Sequence, residues 1–166
     1  MTRFCAVTAP ALMLLYGVLR FFDGLDDVRG GWLWDVGHVA FFVAMILFAV
    51  LALRLRTPSA LSNAATAAVL IGAACFLWVI AGDLSEGFQS AAPLPGPLQL
   101  IGPLLFQFGL LTLLVLRRLP WWSPALVLGG FVALAVNLDL LPLASLLVWA
   151  GLAPLAVQSR AERVNA

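Results

Sequence analysis

From Trp121 to Val157 the chain runs for 37 residues with a single charged side chain, Asp139. One α-helix of that length would reach about 55 Å, whereas the hydrocarbon core of a bilayer is about 30 Å thick and takes roughly 20 apolar helical residues. The stretch is too long for one crossing and too apolar for a soluble loop, so it has to fold back. Asn137-Leu138-Asp139 is its polar interruption near the middle, which predicts a turn there, with Asp139 capping the helix beyond it.

The same ruler applied to the rest of the chain marks four more apolar runs separated by charges or by turn residues. The expected spans are about 4–22, 36–53, 63–82, 98–116, 121–136 and 140–157. The fold class expected is therefore all-α: a polytopic integral membrane protein, a six-transmembrane-helix bundle forming one transmembrane domain over residues 1–166. Composition agrees, because 63% of the residues are hydrophobic and only 10% are charged, against about 25% charged in a soluble domain. That balance excludes a water-soluble monomer, a disordered tail and a nucleic-acid binder. The first run comes after Arg3 as in a signal peptide, but no small-residue cleavage site ends it, so it is expected to remain as a helix.

Orientation is set by the arginines, which supply every basic side chain. Arg3, Arg54, Arg56, Arg117, Arg118, Arg160 and Arg163 all fall at alternate helix ends, while Asp23, Asp26, Asp27, Asp35, Asp83, Glu86 and Asp139 fall at the opposite ends. By the positive-inside rule both termini are expected in the cytoplasm. A basic set made only of arginine, with abundant Ala, Gly and Pro, points to a GC-rich coding sequence and hence to a bacterial cytoplasmic membrane.

Packing cues are those of a helix bundle. Ala64, Ala68 and Gly72 recur every four residues on the third run, and Gly102, Gly109 and the Gly129-Gly130 pair thin the fourth and fifth, which lets backbones approach closely. The third helix is therefore expected at the centre. Pro103 and Pro154 fall inside spans, and Trp32, Trp34, Trp121 and Trp122 lie where interfacial anchors belong. Cys5 and Cys75 sit in apolar runs and read as small buried hydrophobes.

The chemistry-bearing residues gather at the outer ends. Arg20, Asp23 and Asp27 share a helical face, as do Asp35 and His38 at i, i+3, and Asp83 with Glu86 closes the third run. A carboxylate and an imidazole at that spacing are how helical bundles present metal ligands. Asp23, Asp27, Asp35, His38, Asp83 and Glu86 are thus the candidate metal ligands, and Asp35 and His38 the candidate catalytic pair, histidine being the residue type that changes charge near neutral pH. Each has a plainer role: Asp35 as an N-cap, Asp23 in a surface ion pair with Arg20, and outer-loop acids as a product of topology. Gln99 and Gln107 are the polar intramembrane candidates, expected to hydrogen-bond between helices or to line a polar path. Thr66, Thr112 and Ser145 can return their hydroxyls to their own helices.

The chain carries no paired axial histidines, no nucleophile beside a base and no phosphate-binding glycine motif, so it assigns itself to no cofactor and to no family. The reading expected from it is a noncatalytic accessory or lipid-interacting membrane protein whose partners are membrane lipids and other membrane proteins, with no nucleic acid. The alternative is a small membrane enzyme or metal-binding protein with an outward-facing Asp/His/Glu site, and a third is a small carrier.

Overall fold

The computed structural model describes residues 1–25 and 31–164, with side chains described through residue 157. Asp26, Asp27 and Arg29 lie outside the described residues, and so does the face expected to join Asp27 to Arg20 and Asp23. Among the described residues the chain is helical, with no strand. The helices are α1 (Thr2–Asp23), α2 (Trp32–Leu55), α3 (Ala60–Leu84), the short α4 (Glu86–Ala91), α5 (Gly96–Leu116), α6 (Trp122–Val136) and α7 (Leu141–Val164), with a single 3₁₀ turn at Leu138–Leu140 before α7. Five helical stretches are long and apolar enough to cross a membrane: α1, α2, α3, α5 and Leu138–Val157. The remaining apolar helix, α6, has 15 residues and rises only about 22 Å.

Local chemistry sets the boundaries. Gly31 adopts φ 89, a conformation open to glycine, and starts α2 at Trp32. Asp35 therefore lies in the first turn and is not the expected N-cap; its carboxylate still meets the positive end of the helix dipole. Ser59 caps α3 by accepting from the Ser62 amide, and Ser85 caps α4 by accepting from the Phe88 amide. The long apolar stretch does break where its polar triplet falls. Asn137 is the residue that makes the turn, in extended backbone, with its side-chain oxygen accepting from the Asp139 amide at 2.9 Å. The capping role expected of Asp139 thus belongs to Asn137, because its side-chain carbonyl reaches the amide two residues on.

The helices form an open ring. α1 packs between α2 and α7, α3 between α2 and α5, and α6 along α7, while α5 and α6 touch only sparsely and leave the ring loosely closed. α3 is therefore one member of the ring and not its centre. Its buried stripe also differs from the expected one: Ala64 is exposed and Ala68 half-buried, whereas Ala65, Val69, Gly72 and Ala73 are buried. A helix is rotated by what its neighbours need, and α5 needs Gly72. A Cβ on Gly72 would stand 2.5 Å from the Gly102 carbonyl oxygen, and one on Gly109 would stand 2.7 Å from that of Ala65. On the other side of the ring, a Cβ on Gly130 would meet the Ala144 carbonyl at 2.7 Å, and the buried Ser123 hydroxyl donates to the Gly151 carbonyl. The interior between these contacts is filled by Phe48 and Phe106, edge to face at 5.6 Å, with Leu51, Leu110 and Leu152.

The two ends of the ring differ in chemistry. At one end Arg117 donates from Nε to the Leu55 carbonyl at 3.0 Å and from Nη2 to the Arg54 carbonyl at 2.9 Å, satisfying the last turn of α2 with a cation where the helix dipole is negative. Arg56 Nε donates to Asn63 Oδ1 at the same end. The opposite end holds Asp23, Asp35, Asp83 and Glu86.

Candidate functional site

The sparse α5–α6 contact opens a lateral cavity of about 390 Å³. Leu104 and Gln107 of α5 form one wall, Phe131 and Ala135 of α6 the other, and Tyr16 with Phe41 the floor. Not one lining residue is charged. Its volume lies within the range of about 300–1,000 Å³ usual for small-molecule sites. Two features of the sequence contribute to it. Helix α6 is short and ends before Asn137, so the part of the seam near the start of α5 lacks a full-length neighbour. Pro103 of α5 lines the cavity and has no amide to return to the carbonyl one turn earlier.

Aromatic rings run in an unbroken series behind the opening. Tyr16 stacks on Phe41 at 4.7 Å with 10° between planes, Phe41 meets Phe76 edge to face at 5.9 Å, Phe76 meets Phe106 at 5.6 Å, and Phe106 meets Phe131 at 5.9 Å. Offset and edge-to-face pairs of this kind hold one another in place and present both ring faces and ring edges to an occupant.

The expectations for the two glutamines come out differently. Gln99 is exposed, and its amide nitrogen donates to the Leu94 carbonyl at 3.0 Å, within the same chain segment and not between helices. Gln107, midway along α5 and half-buried, faces the cavity and makes no hydrogen bond among the described residues. Thr66, Thr112 and Ser145 return their hydroxyls to the carbonyls four residues back, at 2.7–2.8 Å.

The polar residues at the acidic end of the ring converge only in part. His38 is 1% exposed. Its Nδ1 lies 2.8 Å from the Trp34 carbonyl, which can only accept, so Nδ1 carries the hydrogen. Nε2 then faces two partners, the Tyr16 hydroxyl at 3.4 Å and Asp83 Oδ2 at 3.6 Å. A neutral ring accepts from Tyr16; a protonated ring turns a positive charge toward Asp83. Trp34 completes the knot, with its ring 4.0 Å from that of His38 and its indole nitrogen donating to the Asp83 carbonyl at 3.3 Å. Asp35, three residues from His38, is exposed, and so is Glu86 at the start of α4. Asp23 is buried at the end of α1, where Arg20 Nε is buried without a hydrogen-bond partner among the described residues. Among the described residues no three His, Cys, Asp or Glu side chains come close enough together to hold a metal ion. His38 and Asp83 face each other at 3.6 Å, while Asp35 and His38, three residues apart, lie in two different environments.

Tyr16 is not among the residues that helical spacing singles out, although it is the one tyrosine of the chain and lies within an apolar run. It links the two parts of the site, since its ring floors the cavity and its hydroxyl reaches His38. No protein-family model, curated protein or solved structure matches the chain.

Proposed function

We propose that the chain is a noncatalytic, lipid-interacting membrane protein that holds a lipid in the lateral cavity between α5 and α6. In this reading it is a six-span bundle of the bacterial cytoplasmic membrane with both termini inside. The observation that carries the reading is a cavity with an uncharged, aromatic wall, set in a seam between α5 and α6; in this reading the seam faces the surrounding hydrocarbon. A ligand reaching it from the bilayer never has to cross water. The segregation of seven arginines from seven acids supports the orientation. Counting α6 as the sixth span is compatible with its 15 residues if the bilayer thins beside it, at a fraction of a kcal/mol per Å. Partners are membrane lipids and, over the apolar perimeter of the bundle, other membrane proteins; nucleic acid has no charged face to bind. The enzyme or metal-binding reading has His38 and Asp83 in its favour and lacks a third converging ligand among the described residues. A carrier would need more polar groups at mid-depth than Gln107 supplies.

Two measurements test the proposal. In a variant lacking Cys5 and Cys75, single cysteines at Ser59, Ser90 and Ser159 should react with an impermeant thiol reagent from outside only at position 90; outside labelling at 59 or 159 overturns the orientation. Native mass spectrometry of protein released from gentle detergent should show one retained lipid per chain. The double substitution Leu104→Trp with Ala135→Trp, which fills the cavity, should lower that occupancy at least fivefold. Equal occupancy in the two proteins overturns the assignment of the lipid to this seam.

A further inference from the structure

The character of the cavity wall narrows what it can hold, once the lipid-holding reading on which this narrower assignment rests is granted. We propose that the occupant is a neutral lipid whose head is a flat, carbonyl-bearing ring, the chemistry of a quinone with an isoprenoid tail, and that Gln107 recognises the carbonyl.

Charge decides against the commoner lipids. A phosphate or an ammonium drawn into this seam would leave its water and meet no lysine, arginine or carboxylate, because the lining contains none. An isolated charge transferred in that way costs far more than the few kcal/mol that apolar contacts return. A headgroup with no formal charge avoids the cost.

Hydrogen bonding then selects within the neutral class. The Gln107 amide sits at mid-depth with no protein partner among the described residues, and it opens onto the cavity. An amide in hydrocarbon without a partner is costly, so a ligand that accepts from its NH₂ group gains what the protein alone leaves unmet. A ring carbonyl is such an acceptor, and a saturated chain is not. Gln99 contributes less, because its own amide nitrogen is already committed to the Leu94 carbonyl.

Shape selects the ring. Tyr16, Phe41, Phe76 and Phe131 line the cavity as parts of one continuous series of stacked and edge-to-face rings, with Met13 and Met45 among them. Flat, electron-poor rings stack on such surfaces, and the thioether sulfurs adapt to the remaining outline. A tail leaving the ring would pass between Leu104 and Ala135 into the hydrocarbon.

The test uses the full-length chain in nanodiscs of neutral and zwitterionic lipid, with menaquinone-4 as the probe and quenching of the tryptophan fluorescence as the readout. Saturable quenching is expected, with binding at least tenfold weaker in Gln107→Leu and nearly restored in Gln107→Asn; Leu at this position suits the hydrocarbon and keeps the helix intact. Dioleoylglycerol and phosphatidylglycerol, added as competitors, should relieve the quenching only at tenfold or greater excess over the probe. Displacement by equimolar dioleoylglycerol overturns the preference for a ring, displacement by equimolar phosphatidylglycerol overturns the preference for a neutral head, and unchanged binding in Gln107→Leu overturns the role of the amide. If the cavity-filling double variant loses its retained lipid while menaquinone-4 fails to bind the wild type, the lipid-holding reading stands and this one falls. If no lipid is retained and no quinone binds, both fall.

Discussion

Helix α5 treats its neighbours α3 and α6 in opposite ways. Against α3 it places Gly102 and Gly109 where α3 offers Gly72, Ala65 and Val69, and backbone meets backbone with no room for a methyl group. Against α6 it places Leu104 and Gln107 across a cavity of about 390 Å³. In a bilayer, close packing is itself the attraction between helices, since lipid tails are as apolar as leucine. The first seam is therefore close-packed, and the second leaves an open cavity. A single helix thus carries a close-packed joint and an open one, on faces separated by half a turn.

The comparison breaks most visibly at Gly72. Gly72→Leu should prevent α3 and α5 from seating, since the new side chain would meet the Gly102 carbonyl, the Phe106 amide and Phe106 Cβ, none of which can swing away. A loss of more than about 3 kcal/mol is expected, the upper range for overpacking, read as loss of monodisperse protein in size-exclusion chromatography. If this variant unfolds no more easily than wild type, the two seams are alike. A smaller effect of the same kind separates neighbours on α6. Gly130→Ala should cost about 1–3 kcal/mol because its methyl group would press on the Ala144 carbonyl and Val148. Gly129→Ala, with open space around it, should stabilise by up to about 1 kcal/mol through helix propensity. Opposite shifts in thermal unfolding in detergent would sharpen the contrast, and shifts of one sign would blur it.

The acidic end offers the same kind of contrast between adjacent side chains. His38→Ala and Asp83→Asn should be non-additive by about 0.5–3 kcal/mol in a double-mutant cycle, because the two groups face each other at 3.6 Å. His38→Ala combined with Asp35→Asn should be additive, and Asp35→Asn alone should stay within about 0.5 kcal/mol of wild type, as exposed substitutions do. Coupling of His38 to Asp35 in place of Asp83 would restore the helical i, i+3 pair as the functional unit.

Apolar run length made the helices legible, because every span must satisfy its own backbone in hydrocarbon and so needs a fixed number of apolar residues. The break at Asn137 was legible for the same reason. What spacing along one helix cannot give is its rotation against the next. Ala64, Ala68 and Gly72 share a face, but the seam uses Gly72 with Ala65 and Val69, a shift of about one residue in register. Asp35 and His38 share a face by spacing, yet the buried histidine is turned toward Tyr16 and Asp83, partners 22 and 45 residues distant along the chain. The cavity was the least legible feature, since it arises from a pair of helices that fail to pack and no motif records a gap. Tyr16 carried the available signal, as a lone phenol in an apolar run needs a polar partner.

The cap that Arg117 places on α2 also sets an order of events during synthesis. The carbonyls of Arg54 and Leu55 emerge about 62 residues before the guanidinium that binds them, which at about 5–20 residues per second is a delay of about 3–12 s. During that interval the first hairpin sits in the membrane with the carbonyls at the end of α2 facing headgroups and water. The arrival of α5 closes that end like the last stitch of a hem, and the ribosome still has α6 and α7 to deliver. The end of α2 is thus capped before the α1–α7 contact, which joins the two ends of the chain and is the last to form.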